Sequence, residues 1–490
     1  MQQPFDVSEH RRRCQDDEMN EAVVTRAAID TFATGRFVRA EVGIRERLSW
    51  GSLDKEIARL AIPALGALVA EPLYVLADTA VVGNLLGTIE LAGLAVAGQT
   101  LLTLHAIMIF LAYGTTAAVS RLLGGGKQRE AAHHAVQGLW LAAVMGVVLA
   151  LVMWVFADPV LGLLGETDDG NAGAILEQAR IYLLVSLWGL PALLLTLSGV
   201  GYLRGLQDTT RPLVVAIATA LFNLVLELIL IVGLGFEIGA SALSTVIAQW
   251  LGAGAYLWWI GRDVTSHGVS LAPDVAEIIR LLRVGGALFV RTVALRGSFV
   301  VSVAAASRIS TEALAAHEIA FQLFIFTALA LDSVAIAGQA MIGRFLGADD
   351  ENGAREAGSR VLQWGVAVGI IALIIFGVGS PFLPDLFTND VAVASLATLA
   401  LVHLALMQPI NGVVFALDGI LIGAGDMNFL AGAMALAAAI FIPIAILVPV
   451  LGLGLGWLWG SIWVLMIVRA AGVWWRFRSN RWLVLGSDAT

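Results

Sequence analysis

Charge is what this chain has least of. Of its 490 residues 14% are charged, where a water-soluble chain carries nearer a quarter, while 59% are hydrophobic and the mean hydropathy is +0.85. Such a balance excludes an ordinary soluble globule, and apolar runs of about 20 residues recurring along nearly the whole length specify a polytopic helical membrane protein. The formal charge of −9 says little about partners, because the charges are confined to loops and the tail. A single cysteine, Cys14, excludes an internal disulfide framework. Residues 1–50 mix eight arginines with nine acids and hold no apolar h-region, so no signal peptide is expected there. Enzyme signatures are missing as well: there is no nucleophile–base pair and no metal-ligand cluster, and Gly124-Gly125-Gly126-Lys127 lacks the rest of a phosphate-binding loop.

What is present is an all-α pattern of twelve spans, at 57–84, 91–120, 134–157, 178–203, 213–234, 240–260, 284–306, 314–342, 359–384, 396–422, 429–449 and 456–476. Residues 1–44 read as a polar tail, and Arg45 to Leu60 as an amphipathic helix at the membrane interface. Short loops on one side carry the arginines and lysine, among them Arg121, Lys127, Arg129, Arg204, Arg211, Arg262, Arg280, Arg344 and Arg476. The other side offers little beyond Arg308 and an acidic loop with Glu166, Asp168 and Asp169. Both termini are therefore expected in the cytoplasm, in a multi-pass protein of the plasma membrane.

The chain repeats itself. A shift of 223 places Thr88 on Thr311, Gln99 on Gln322, Arg121 on Arg344 and Gly124 on Gly347; a shift of 218 places Pro191 on Pro409, Gly201 on Gly419, Gly205 on Gly423 and Asp208 on Asp426. Two pseudo-symmetric six-helix lobes follow, 45–260 and 284–476, joined by a cytoplasmic linker at 261–283 and followed by a short tail at 477–490. A pseudo-two-fold along the membrane normal, with a cavity between lobes, suits alternating access.

A carboxylate near the middle of a span costs about 2.5–3.5 kcal/mol on insertion scales, so a chain keeps one where it faces a cavity, a partner or an ion. Tyr74 and Asp78, four apart, share one face of the first helix, with Glu71 seven before Asp78; Asn223 and Glu227 repeat the spacing in the fifth. Asp78 lies nine residues before the turn near Gly87, Glu227 nine before the turn near Phe236, and Thr245 nine after it. Three helices thus present oxygens at one level of the first lobe, able to hold Na+ or to trap protons by raising each other's pKa. The second lobe has Val301, Phe441 and Ala445 at the equivalent places, and its own acids Asp332 and Asp418. Blander readings stay open: Asp78 as a packing polar group, Asp332 and Asp418 as partners of Arg291 or Arg296, His317 as an interfacial histidine, and Asp208 and Asp426 as capping or turn residues. Pro63 lies in the first helix, where a lost backbone hydrogen bond predicts a bend.

Four segments together resemble multidrug and toxic compound extrusion (MATE) transporters, in the branch of DinF-like proteins. They are Glu71-Pro72-Leu73-Tyr74 with Asp78-Thr79-Ala80-Val81-Val82-Gly83, Arg204-Gly205-Leu206-Gln207-Asp208-Thr209, Ala315-Ala316-His317-Glu318-Ile319-Ala320, and Asp418-Gly419-Ile420-Leu421-Ile422-Gly423-Ala424-Gly425-Asp426. The resemblance spans about 45–480 and implies export of organic, often cationic or amphipathic, compounds in exchange for H+ or Na+. It implies that Asp78 takes the coupling cation, with Tyr74, Asn223, Glu227 and Thr245 around it and Pro63 at the helix bend. Glu227 stands where the family often carries Asp, and Glu318 where Gln is common. Glu71, Asp332, Asp418 and Glu318 remain secondary candidates. The expected partners are small organic substrates and the bilayer, with no nucleic acid, no cofactor and a monomeric chain. A lipid-linked precursor flippase is the alternative, disfavoured by twelve spans and the interior acids; a membrane-embedded transferase is weaker still.

Overall fold

In the computed structural model, which describes residues 51–164 and 171–487, the chain forms twelve long helices and, among the described residues, no strand. They are α1 Ser52–Leu85, α2 Thr88–Gly124, α3 Gln128–Gly162, α4 Ala172–Gly205, α5 Thr210–Gly233, α6 Ile238–Ser266, α7 Val275–Ile309, α8 Thr311–Gly347, α9 Glu351–Gly379, α10 Val391–Gly423, α11 Met427–Val450 and α12 Leu455–Arg478. Eleven are long and apolar enough to cross a membrane by length and composition; α7, which carries five arginines, is the other. Each apolar run thus continues as helix into its polar flanks, because helix hydrogen bonding does not stop where hydrophobicity does. The expected tail with Cys14 and the acidic loop at Glu166, Asp168 and Asp169 lie outside the described residues, as does most of the proposed interfacial segment. Its last part, from Ser52, is not a separate helix but the first turns of α1.

α1 runs through both Pro63 and Pro72 as one helix, so the bend expected at Pro63 brings no break. Pro63 cannot donate to the carbonyl of Arg59, and the Thr209 hydroxyl reaches that carbonyl instead, at 3.5 Å. α5 ends in a π-helical turn, Ile229–Gly233, directly after Glu227.

The repeat read from the sequence reappears as repeated packing. Gly146 of α3 meets Pro191 of α4, with a Cβ there lying 2.5 Å from Pro191 Cα; Gly369 of α9 meets Pro409 of α10, its Cβ 3.0 Å from Pro409 Cα. The pairs are related by the shifts of 223 and 218. At the Arg-rich end the two halves meet reciprocally: a Cβ on Gly124 would fall 2.0 Å from the Arg344 carbonyl oxygen, and one on Gly347 would fall 2.0 Å from that of Arg121. A contact of i with j′ matched by one of i′ with j is the mark of a two-fold relation. Polar bonds fasten the same junction. Gln339 donates to Tyr113 O (2.5 Å), Gln207 to Ala340 O (2.8 Å), and Arg121 to the carbonyls of Ala424 (2.8 Å) and Gly486 (2.9 Å). Arg121 and Arg204 are therefore not loop cations, as their places in the sequence suggest, but buried side chains, 0% and 6% exposed.

A side chain at position 347 requires α2 and α8 to separate. We expect Gly347→Val, in a Cys14→Ser background, to raise several-fold the rate at which a cysteine at the buried Ser120 position, also on this seam, reacts with a hydrophilic maleimide. Unchanged labelling would mean that the seam does not depend on that contact.

Candidate functional site

Two buried polar clusters occupy the helices, and the first is built on the spacings noted above. The four-residue spacing turns Tyr74 and Asp78 of α1 toward α6, where Ser241, Ser244 and Thr245 lie on one face one turn apart. Ser241 Oγ donates to Asp78 Oδ1 at 2.7 Å and the Tyr182 hydroxyl to Asp78 Oδ2 at 3.3 Å. Tyr74 and Thr245 share a hydrogen bond of 2.7 Å, Asn223 donates to Thr245 Oγ1 at 3.2 Å, and Ser244 donates to Asn223 Oδ1 at 2.8 Å. Glu227 lies against Asp78 and Ser241. Its Oε1 is buried without a hydrogen-bond partner. Asp78, Asn223 and Glu227 are 5%, 2% and 1% exposed.

Asp78, Asn223, Glu227, Thr245 and Tyr74 thus come together, as the count from the turns requires. Sequence reasoning missed Ser241, Ser244 and Tyr182. The signal for the serines was available, since Ser241 and Thr245 repeat the four-residue spacing of Tyr74 and Asp78. The second lobe has no counterpart. Phe441 and Ala445 are fully buried in its apolar core, with Val301 packed against them.

The second cluster lies nearer the Arg-rich end. Asp418 of α10 accepts from Arg291 of α7 at 2.5 Å and from Arg469 of α12 at 2.8 Å, so the ion pair with Arg291 exists, while the second arginine was not anticipated. Asp332 of α8 accepts from the Tyr113 hydroxyl of α2 at 2.9 Å instead of an arginine, with Arg204 and Arg291 nearby. Glu71 pairs with His105 Nδ1 at 2.6 Å, a partner the sequence reading did not supply. Glu318 is half-buried and joins neither cluster.

Two expectations fail. His317 is not interfacial: it is fully buried, stacked on Phe321 with ring centroids 5.7 Å apart and close to Trp459, because the start of α8 packs into the second-lobe core. Asp426 stands after the turn at 424–425, at the start of α11, with its side chain on Arg476 at 2.5 Å. Asp208 bonds the backbone nitrogens of Thr210 and Arg211 with its side chain, at 3.0 and 3.1 Å. The cations at the Arg-rich end are fewer than counted, since Arg121 and Arg204 are withdrawn from solvent.

A cavity of about 570 Å³ opens beside the first cluster and reaches Arg204, which lies near Asp332 of the second. Its walls are mainly apolar, with Leu68, Val75, Leu102, Ile109, Leu197 and Val200 among them. Among its polar points are Asp78, Tyr74, Asn223 and Thr245 toward one end, Glu71 and His105 along the wall, and Arg204 with Tyr256 at the other, with Gln99, Thr196, Thr219 and Gln249 between. A mainly apolar concavity with few convergent polar groups is the form of a small-molecule site.

A family model described as MatE matches residues 63–229 and 288–447. The chain is 30% identical over 452 residues to the Protein DETOXIFICATION 44, chloroplastic, of Arabidopsis thaliana, covering 89% of this chain and 85% of that one. It is 29% identical over 446 residues to the DNA damage-inducible protein F of Escherichia coli (strain K12), covering 88% and 94%. A solved structure of a multidrug resistance MATE family transporter of the MOP superfamily, in an outward-facing conformation, superposes with a TM-score of 0.76 at 22% identity, covering 89% of this chain and 98% of that one.

Proposed function

The chain belongs to the MATE family of membrane transporters and is not an enzyme, and from that premise we propose that it is a secondary antiporter exporting organic amphiphiles in exchange for an inward-moving cation. The observation that carries the coupling half of this reading is the contact of Asp78 with Glu227, both buried, at one end of the apolar cavity. Two carboxylates side by side in a low-dielectric site cannot both stay ionised without cost, so the pair takes up a cation. H+ is favoured, because the hydroxyls of Ser241 and Tyr182 support an ionised Asp78 while the adjacent Glu227 has a buried, unpartnered oxygen, and a proton held between the two carboxyl groups needs no further ligands. Na+ remains a second reading on a specific ground: the unpartnered Glu227 Oε1, with Thr245 and Asn223 close by, is an oxygen-rich set of the kind a hard cation uses. Tyr74, Asn223 and Thr245 position the acids, and α1, weakened at Pro63, is the element that moves.

The tightly joined Arg-rich end is on the cytoplasmic side, as the distribution of loop arginines supports, so the chain is drawn in its outward-facing state. Cation uptake at Asp78 and Glu227 changes the charge at one end of the cavity and so the balance between conformations, and the substrate leaves in the conformation that the cation selects. Coupling needs only that the cation favour one conformation, not that it displace the substrate directly.

The test is efflux of a fluorescent amphiphile from proteoliposomes under ΔpH alone and ΔNa+ alone. Efflux driven by ΔpH alone is the expected result, and efflux driven by ΔNa+ alone selects the second reading. Dye movement under neither gradient, with the protein still folded, would contradict antiport.

A further inference from the structure

The antiport mechanism gives no task to the arginines beneath the cavity. Arg204 stands in the last turn of α4. A helical side chain leans toward the helix N-terminus, so Arg204 points from the Arg-rich end into the cavity rather than out to solvent. It lines that cavity, is 6% exposed, and its Nε has no hydrogen-bond partner. A buried guanidinium donor left unbonded is costly, and such a vacancy calls for an acceptor.

Arg204 does not stand alone. Arg204, Arg291 and Arg296 are all close enough to the Tyr113 hydroxyl to interact with it electrostatically. Arg296, from α7, also faces the Glu71–His105 pair on the cavity wall. The anions among them are Asp332, which takes the Tyr113 hydroxyl, Asp418, which is committed to Arg291 and Arg469, and Glu71, which is committed to His105. Of these charges only Arg204 and the Glu71–His105 pair line the cavity, so the Arg204 end carries a guanidinium with no carboxylate bonded to its Nε. The acidic pair at the other end of the cavity gives that end the opposite sign.

Resting on the reading of this cavity as the transport site, we infer that its substrates are amphiphiles bearing an acidic group, a carboxylate or a phosphate, bound at Arg204 with Arg296 facing them and the apolar body along the first-lobe wall. Guanidinium suits such groups because its planar donors match two acceptor oxygens. The apolar walls accept the remainder of the molecule without demanding its shape. A substrate recognised only as a cation would leave the Arg204 Nε unbonded and be repelled by that guanidinium at this end of the cavity.

The experiment is fluorescence binding to the purified full-length protein with three probes sharing one apolar body: dansylaminoundecanoate, its amide, and the trimethylammonium analogue. The carboxylate should bind about tenfold more tightly than the amide, the value of a single hydrogen bond to a charged group. Arg204→Gln should bring the carboxylate down to the amide's affinity, and Arg204→Lys should restore part of the difference. Should Arg204→Gln fail to fold, Arg296→Gln is expected to weaken the carboxylate selectively as well. Competition by octanoate and by lysophosphatidic acid then separates a free acid from a lipid headgroup, either one supporting the inference. Equal affinity for carboxylate and amide, or tighter binding of the trimethylammonium probe, would overturn the inference while leaving antiport standing. Binding of none of the probes would overturn it together with the reading of the cavity.

Discussion

Asp78→Asn reduces gradient-driven efflux by about 100-fold while the protein still binds its amphiphile. The carboxamide keeps the size of the side chain and can still bond Ser241 and Tyr182, so folding and the cavity are conserved. What disappears is the group that changes charge, and with it the free energy linking cation to substrate, which for coupled sites amounts to about 1–3 kcal/mol. Equilibrium binding should therefore change little and transport greatly. Glu227→Gln should fall in the same direction, because removing either carboxylate from an adjacent pair removes the repulsion that makes the other take a cation. A purely structural role for Asp78 predicts the reverse pattern, with Asn tolerated in transport and Ala harmful to stability. The pair of measurements, substrate binding in detergent and efflux in proteoliposomes, separates the two.

Asp418→Ala carries the second large effect, on stability. Asp418, buried, pairs with Arg291 and Arg469 at once and so ties α10 to α7 and α12. Its removal leaves two guanidiniums facing each other in a low-dielectric interior; breaking a buried ion pair costs about 3–5 kcal/mol. We expect a thermal unfolding midpoint in detergent lower by several degrees. Adding Arg469→Met should recover at least half of that loss, since it removes the deeper of the stranded charges, whereas Arg291, 12% exposed, can turn toward the cleft. A double variant no more stable than Asp418→Ala would mean that Asp418 acts through something other than charge neutralisation.

Much of this was legible in the amino-acid sequence, and the reasons can be stated residue by residue. All twelve helices appeared because each apolar run is as long as a membrane is thick. Asp78, Glu227 and Thr245 could be grouped because depth in a membrane helix is a count of residues from its turn, and each count was nine; Asn223 joins them by its four-residue spacing from Glu227. The paired contacts of Gly124 and Gly347 follow from a repeat visible as a shift of 223. Ser241 and Ser244 were passed over despite the spacing of Ser241 and Thr245, because serine within a helix ordinarily satisfies itself on its own backbone, as Ser244 also does on Ser241 O, and Tyr182 was missed because its reach to Asp78 depends on how α4 packs against α1. Arg121 and Arg204 were placed in loops because the count locates a Cα, whereas a long side chain can lie a full turn or more away. The partner of Asp418 in α12, Arg469, lies inside the apolar span 456–476 and was not singled out. Long-range pairing between charged side chains depends on how helices tilt and cross, and no single-sequence period encodes that.

The most direct test of the account is proton movement itself. Proteoliposomes loaded with a pH-sensitive dye and held without a membrane potential would be given the transported amphiphile on one side only. Wild-type protein should drive a pH change of opposite vectorial sense to substrate flow, and Asp78→Asn should give none above liposomes without protein. A proton flux in Asp78→Asn equal to that of wild type would contradict the central claim, that the acid pair of Asp78 and Glu227 is where the coupling cation binds.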